Sequence, residues 1–247
     1  MQFKFIYPLA LLTAFVITIT EGDAIFRGKI TGVYPVPPTP KITYVSPHVA
    51  ISPYDSHFRA AADTLQWDWK LIAAIAFTES RFDSTATSEA GACGVMQVMP
   101  ATLRGMGVPD SLHMDTRTNI MAAAELLDYL DHLYRRIRNF EERTNFILAS
   151  YNAGAGHIGD AMNLAEKYGR PRYVWNENVD SFLIRKGLPE YYTDSVCKNG
   201  SFSDWKQTLS FVKKVKRNWR RFERMQTRYS DSIATLMAKD STIRIKE

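Results

Sequence analysis

A single carboxylate, Glu79, stands at the end of an apolar stretch with helical spacing. Asp68 has the side chain of an N-cap residue, and in a helix over 69–80 Leu71 and Ile75 share a row with Glu79. One side of Glu79 should therefore face a core. Because burial disfavours the charged form of a carboxyl group, this position favours a general acid that keeps its proton near neutral pH. For a glutamate considered alone, a solvated helix-end carboxylate is the alternative.

Three motifs follow one another along the chain. The first is Glu79-Ser80, the second reads SEAGACGVMQVMP over 88–100, and the third reads ASYNAGAG over 149–156. In this order they resemble the lytic transglycosylases, enzymes that cleave peptidoglycan and have a lysozyme-like fold. The resemblance covers roughly 56–222. From Asn176 onward the chain is most similar to the catalytic domain of the membrane-bound lytic murein transglycosylase F type.

The resemblance implies an α+β fold class that is predominantly α-helical. We expect a lysozyme-like fold with a small irregular or β-containing lobe at 81–94. Apolar periodicity independently predicts the helices. They are expected at 56–66, 69–80, 117–138, 142–151 and 156–168, with a long final helix that begins near Ser203.

One carboxylate is enough for the chemistry that the resemblance implies. Glycoside hydrolysis usually uses two, but Asp83 and Glu89 lie in a polar turn segment where solvated or turn-capping roles are expected. In the family, the glutamate protonates the glycosidic oxygen between N-acetylmuramic acid and N-acetylglucosamine. It then accepts the proton of the muramoyl 6-hydroxyl as that group attacks, which leaves a 1,6-anhydromuramoyl end. The intramolecular nucleophile has a high effective concentration.

The resemblance also implies a set of substrate-binding residues. They are Ser80, Ser88, Met96, Gln97, Tyr151 and Asn152. Gln97 can donate and accept hydrogen bonds, and Met96 would supply an adaptable apolar wall. Tyr151 and Asn152 would bind substrate or orient Glu79. Ser80 and Ser88 would act as hydrogen-bond donors behind the site.

A fourth motif departs from the family pattern. Phe211-Val212 stands where the family commonly has a tyrosine followed by valine, so a phenolic donor near Glu79 is lost. The loss should raise the pKa of Glu79 if that hydrogen bond favoured the carboxylate. Tyr191 or Tyr192 is the alternative source of a hydroxyl.

The amino-terminal segment predicts export. Lys4 precedes an uncharged run over 5–20, which is short for a membrane span of about 20 residues but suits a signal peptide. Cleavage after Ala24 fits the small residues there, and an uncleaved segment would serve as an anchor. We divide the chain into a signal peptide or N-terminal anchor (1–24), a proline-rich arm or linker (25–55), a catalytic domain (56–228) and a C-terminal tail (229–247). The expected location is the periplasm, soluble or anchored to the inner membrane and facing outward.

Composition agrees with a single folded domain and a basic surface. The 247 residues are 45% hydrophobic and 23% charged, with a formal net charge of +5. Much of the excess lies on the final predicted helix, at Lys213, Lys214, Lys216, Arg217, Arg220, Arg221, Arg224 and Arg228. Nucleic acid, an anionic cell-envelope polymer and plain solvation all explain such a stripe. The resemblance favours peptidoglycan glycan strands over nucleic acid as the partner, and it leaves protein partners open.

The sequence leaves the state of the two cysteines open. Cys93 and Cys197 form either a disulfide of an oxidising compartment or two free thiols. The five histidines show no metal-ligand spacing with them, so no metal and no cofactor is expected.

Two rival functions also remain open. A lysozyme-like hydrolase would share the glutamate but deliver water, and a noncatalytic peptidoglycan-binding protein would not need Glu79.

Overall fold

The fold is predominantly α-helical. A computed structural model describes residues 49–239, with side chains described as far as Thr235. Its helices are α1 (Asp55–Leu65), α2 (Trp69–Ser80), α3 (Pro100–Gly105), α4 (Thr116–Leu133), α5 (Phe140–Ala153), α6 (Ala155–Lys167), α7 (Asp180–Arg185), α8 (Pro189–Tyr192) and α9 (Trp205–Lys239). A short 3-10 turn lies at Asp110–Leu112 and a wide turn at Trp175–Val179.

Helix α2 is the centre of the core. The Asp68 side chain accepts the Lys70 N–H at its start, and Arg81 ends it in a left-handed conformation with φ of 58°. The six residues from Leu71 to Ala76 are all buried, so this helix is apolar on every side for most of its length. It packs between α1 and α9. Its last turn, which carries Glu79, emerges from the core.

Helix α9 is the longest element and covers α2 and α5. Its 35 residues give a length of about 52 Å. Phe211, Val215 and Phe222 are buried along one stripe. Most side chains after Phe222 are exposed, so the carboxyl-terminal end of the helix contributes little to the core.

The segment between α2 and α3 is irregular. Two isolated bridges, Thr87 with Cys93 and Cys93 with Val98, are its only β-type pairings in the described part of the chain, which forms no strand. The expected small lobe is therefore irregular, and the β-containing form of that expectation is not confirmed.

The predicted helices are found, with shifts at their ends. The 69–80 prediction is confirmed at both ends. The 117–138 prediction runs too far, because the chain leaves α4 at Tyr134 and the Ile137 N–H turns back to the Tyr134 carbonyl at 2.8 Å. The long final helix begins at Trp205, two residues after Ser203, near which its start is predicted.

Several sequence predictions fall on other parts of the chain. The signal peptide or anchor, most of the proline-rich arm and the last eight residues lie outside the described residues. Within 49–239, none of the helices has the length and apolar character needed to cross a membrane. Cys93 and Cys197 are both free thiols in this structure, so the disulfide alternative is not realised in it.

Candidate active site

The end of α2 presents Glu79 at the edge of the core, where the residue is half-buried. Among the described residues, no hydrogen bond or ion pair involves its carboxyl group. Burial alone raises the pKa of Glu79 from 4.5 to about 8. Glu79 is therefore mostly protonated at neutral pH, which is the state that a general acid needs.

Tyr151 of α5 is the neighbour of Glu79. Burial raises the pKa of Tyr151 well above its ordinary value, and the nearby charge of Glu79 raises it further. The Tyr151 hydroxyl donates a hydrogen bond to the Met96 carbonyl at 2.8 Å. Phe211 of α9 stacks on the Tyr151 ring, with centroids 6.4 Å apart and planes 6° apart. The structure thus brings the first, third and proposed fourth motifs into one cluster.

The second motif is held against α2 by a serine. The Ser80 hydroxyl donates to the Val95 carbonyl at 2.8 Å and to the Ala76 carbonyl at 3.3 Å. Ser88 holds the turn itself, because its hydroxyl accepts the Ala92 N–H at 2.9 Å. Both serines therefore make bonds that fix the loop beside Glu79.

Asn119 of α4 also holds this loop in place. This fully buried side chain accepts the Met96 N–H at 2.9 Å and donates to the Cys93 carbonyl at 3.0 Å and the His113 carbonyl at 3.2 Å. Gly94 has φ of 74°, and a Cβ atom there would lie 2.6 Å from the Asn119 side chain. Only glycine fits this position, because both the backbone angle and the contact exclude a side chain.

Gln97 lies in the loop with a positive φ of 50°. Its amide nitrogen donates to the carbonyls of Ala86 at 3.0 Å and Gly94 at 2.9 Å. No partner in the described part of the chain takes its amide oxygen, which can accept a hydrogen bond from a ligand. Met96 differs from the expectation: its side chain is fully buried in the core, so it forms no exposed apolar wall.

Asn152 is oriented from α9. Its side-chain oxygen accepts the Thr208 hydroxyl at 2.9 Å, and Thr208 is fully buried. Because the oxygen is used in this way, the Asn152 amide N–H groups are the ones left to donate. Asn152 and Tyr151 follow each other at the end of α5, close to its carboxyl-terminal residue Ala153.

Asp83 and Glu89, the nearest candidates in the sequence for a second catalytic carboxylate, have other roles in the structure. Asp83 is exposed and accepts the Thr85 N–H and hydroxyl at 2.8 and 2.7 Å, and the hydroxyl bond, then the N–H bond, lowers its pKa. Glu89 is also exposed. Both have the turn or solvated roles expected from the sequence.

Of the two alternative hydroxyl donors, Tyr191 lies in another aromatic cluster. Tyr191 packs against Tyr168 and Phe182, with ring centroids 5.6 and 6.3 Å away. Its hydroxyl accepts a bond of 3.4 Å from Arg185. The hydroxyl close to Glu79 is that of Tyr151 instead.

Three polar contacts that support the site were not singled out by the sequence. Asn119 makes the first, and Thr208 makes the second with Asn152. In the third, the Asn218 amide donates to the Thr78 hydroxyl at 3.0 Å. Each is a buried polar residue on an otherwise core-facing helix stripe. A polar residue at an apolar position is the signal that could have found them, because a buried polar group needs a partner.

The chain matches known proteins over the region that contains Glu79 and the first three motifs. Residues 56–174 match the family model of the Transglycosylase SLT domain. "Membrane-bound lytic murein transglycosylase F" of Pseudomonas fluorescens (strain Pf-5) is 36% identical over 141 residues, which are 57% of this chain and 28% of that protein. The protein of the same name from Maricaulis maris is 39% identical over 143 residues, 57% of this chain and 30% of that protein. The chain thus spans less than a third of the length of these relatives.

Among solved structures, the 70 kDa soluble lytic transglycosylase SLT70 from Escherichia coli has a TM-score of 0.49 with this chain. Its sequence is 21% identical, and the match covers 70% of this chain and 24% of that one.

Proposed function

We propose that this chain, whose residues 56–174 match the family model of the Transglycosylase SLT domain, is a peptidoglycan lytic transglycosylase. It would cleave the β-1,4 bond between N-acetylmuramic acid and N-acetylglucosamine. The observation that carries the proposal is Glu79, a carboxyl group without a protein partner in the described residues and with a pKa raised to about 8 by burial. Such a group holds a proton at neutral pH and can give it to a leaving oxygen.

The reaction needs Glu79 twice. In the first step its proton passes to the glycosidic oxygen as the bond to the anomeric carbon breaks. Glu79 is left ionised at the half-buried end of α2, where desolvation disfavours its charge. The muramoyl 6-hydroxyl then attacks the anomeric carbon and gives its proton to Glu79. The carboxyl group is restored, the product carries a 1,6-anhydro ring, and no water is consumed. Burial favours this second transfer because it favours the neutral acid.

The remaining residues have positioning roles in this proposal. The free amide oxygen of Gln97 would accept a hydrogen bond from a sugar hydroxyl, and the Asn152 amide would donate one. Tyr151 would hold the loop next to Glu79 through its bond to Met96. Ser80 and Ser88 would act through the loop, since their hydroxyl groups form hydrogen bonds with backbone groups.

The test is Glu79→Gln with Glu89→Gln as the matched control. Glu79→Gln keeps the volume and removes the transferable proton, so cleavage of purified sacculi should fall by about 100-fold to 10,000-fold. Glu89 is exposed in the adjacent loop, and its change should leave the rate unaltered. Mass spectrometry of wild-type products should find anhydromuramoyl ends. Products heavier by one water would assign a hydrolase, and undiminished turnover by Glu79→Gln would remove Glu79 from the mechanism.

We also propose the finer fold and location that the sequence predicts. The fold would be lysozyme-like, with the irregular segment after α2 as its small lobe. The protein would act in the periplasm, soluble or anchored at its amino terminus. The motif resemblance and the membrane-bound relatives support this location. Cell fractionation tests it, and recovery in the cytoplasm would contradict it.

A further inference from the structure

A row of cations runs along the exposed face of α9. Its members follow one another at intervals of three or four residues, so they lie on one side of the helix. This basic row consists of Lys213, Arg217, Arg220, Arg224 and Arg228, all of them exposed. It is about 22 Å long, because its last member follows its first by 15 residues. The buried stripe of α9, with Phe211, Val215 and Phe222, faces the opposite side.

Most of the charge of the basic row is not neutralised by the protein. Arg220 lies 3.0 Å from the Glu141 carboxylate. In the part of the chain that the structure describes, none of the other four cations has an acidic partner. Lys214 and Arg221 are also exposed and lie at the edge of the row. Over the length of the row the helix has one acidic residue, Glu223. This face of α9 therefore carries a strong positive potential.

The basic row forms a ridge. Helix α9 packs on α2 and α5 through its other side, and the row continues onto the carboxyl-terminal part of the helix, where most side chains are exposed. A straight ridge can contact a flat surface along its whole length. A flexible polymer would have to be ordered along the ridge, which costs conformational entropy. The shape therefore favours a planar anionic partner.

On the α5 side, the basic row borders a groove of about 420 Å³. Every cation of the row except Arg228 lines this groove. Leu209 and Val212 add apolar surface, and Asp180 is the one carboxylate among the lining residues. A phospholipid headgroup presents a phosphate next to apolar chain, so it matches both the positive charge and the apolar surface of the groove.

We propose that the basic row of α9 binds the surface of a bilayer that contains anionic phospholipid. Clusters of about four to eight Lys and Arg residues on a helix are typical of such binding, and each residue contributes about a factor of five in affinity. Phe211, which stacks on Tyr151, lies on the opposite side of α9. The bound protein therefore turns its candidate active site away from the bilayer. The inference does not rest on the proposed function, because it uses no residue of the catalytic cluster.

The experiment measures binding of the full chain to two kinds of vesicle at low salt. One kind is phosphatidylcholine alone, and the other is equal parts phosphatidylcholine and phosphatidylglycerol. Lys213→Gln, Arg217→Gln and Arg224→Gln are combined to neutralise the basic row. A second variant combines Lys213→Arg, Arg217→Lys and Arg224→Lys, which keeps the charge of the row and changes its hydrogen-bonding geometry.

The matched control removes the same charge from other elements. It combines Arg104→Gln, Arg170→Gln and Lys198→Gln, three exposed cations outside α9. Every variant keeps the amino-terminal segment, so the contribution of that segment is the same throughout. The urea unfolding midpoint of each variant should be that of the wild type, because the changed side chains are exposed.

We expect the neutralised variant to bind the anionic vesicles about 100-fold more weakly, and the charge-conserving and control variants to stay within about threefold of the wild type. Added salt should weaken binding of the wild type to the anionic vesicles, and phosphatidylcholine alone should bind it least. Unaltered binding of the neutralised variant would overturn the proposal, as would an equal loss in the charge-conserving or the control variant. Weaker binding to purified sacculi with unchanged binding to vesicles would assign the basic row to the cell-wall polymer instead.

Discussion

The Glu79 carboxyl group gains no stabilisation of its charge from the hydroxyl beside it. Tyr151 uses its hydrogen to bond the Met96 carbonyl, so that hydrogen is directed away from Glu79. A hydrogen bond to the ionised form would have lowered the pKa of Glu79, and its absence leaves burial as the cause of the rise to about 8. The raised pKa of Glu79 therefore comes from burial without a compensating hydrogen bond to its carboxylate.

Phe211→Tyr tests this tuning. The ring at 211 stacks on Tyr151, so a hydroxyl added to it enters the cluster that surrounds Glu79. If that hydroxyl donates to the carboxylate, it favours the charged form and lowers the pKa of Glu79. We expect the alkaline limb of the pH-rate profile, which should lie near pH 8 in the wild type, to move down by about one unit.

Phe222→Tyr is the control for this change. Phe222 is buried on the same helix but packs on Phe77 and Phe82, with centroids 5.8 and 6.4 Å away. A hydroxyl without a partner there would cost about 1–3 kcal/mol of stability without moving the pH-rate profile. An unchanged profile in Phe211→Tyr would show that this position does not reach Glu79 and that the assignment of the fourth motif is wrong.

The residues near the site could be predicted from sequence only in part. Glu79 stood out because helical spacing placed it beside apolar residues that are indeed buried. The burial of Met96 could not be predicted, because periodicity does not define which side of an irregular loop faces the core. The group of Met96 that takes part in the site is its backbone carbonyl, which accepts the Tyr151 hydroxyl. Tyr151 lies 55 residues away in the sequence, so local spacing does not reveal this contact.

At the scale of elements, local signals located the helices well. Asp68, Asp115 and Asn139 cap α2, α4 and α5 with side-chain bonds to backbone N–H groups, which is why these helices begin where they do. The segment between α2 and α3 has a different origin. Its shape comes from long-range bonds to Ser80 and Asn119, and no regular period marks such contacts in the sequence.

Asn119→Ala should damage this segment more than the helix that carries it. The change removes three hydrogen bonds. It leaves the Met96 N–H without its partner, whereas the Cys93 carbonyl keeps the Val98 N–H at 3.1 Å. We expect a loss of about 2–4 kcal/mol of unfolding free energy. Because the loop carries Gln97 and bonds Tyr151 through the Met96 carbonyl, kcat should also fall. Denaturant unfolding and steady-state kinetics would measure the two effects.

Asn163→Ala separates lost stability from lost geometry. Asn163 is a half-buried asparagine of α6 that donates to the Val196 carbonyl at 3.3 Å and accepts from Arg172 at 3.2 Å. Its change should reduce stability while kcat stays at the wild-type value. If Asn119→Ala kept the wild-type kcat, the loop would not position the catalytic cluster.

At the scale of the whole molecule, a buried ionic cluster joins the carboxyl-terminal elements. Lys186, which directly follows α7, is fully buried and lies 3.0 Å from the Asp160 carboxylate of α6. Its ammonium group also bonds the Gly200 carbonyl and the His157 ring nitrogen, the latter at 2.8 Å. Asp160 accepts the backbone N–H groups of Lys198 and Asn199, so the cluster fixes the chain that leads into α9. Removal of one member would leave a buried charge unpaired.

The His157 ring of this cluster and Glu79 of the candidate active site have opposite effects on stability as the pH changes. Burial, and then the Lys186 charge, lower the pKa of His157 from 6.5 to about 4. Its contribution to stability is present above pH 6.5 and is lost as the pH falls toward 4. The raised pKa of Glu79 acts in the other direction: its contribution is complete below pH 4.5 and is lost as the pH rises toward 8.

The unfolding free energy of the wild type should therefore be nearly constant between pH 4.5 and 6.5, where the two effects cancel. Above pH 6.5 only the Glu79 effect remains, and stability should fall by about 2 kcal/mol up to pH 8. Glu79→Gln removes that effect, so its stability should rise from pH 4.5 to 6.5 and then stay level. Urea unfolding at pH 5, 6.5 and 8 measures the difference, with Glu89→Gln expected to follow the wild type. A parallel decline of the wild type and Glu79→Gln above pH 6.5 would mean that Glu79 is already ionised at neutral pH, and it could not then act as the proton donor.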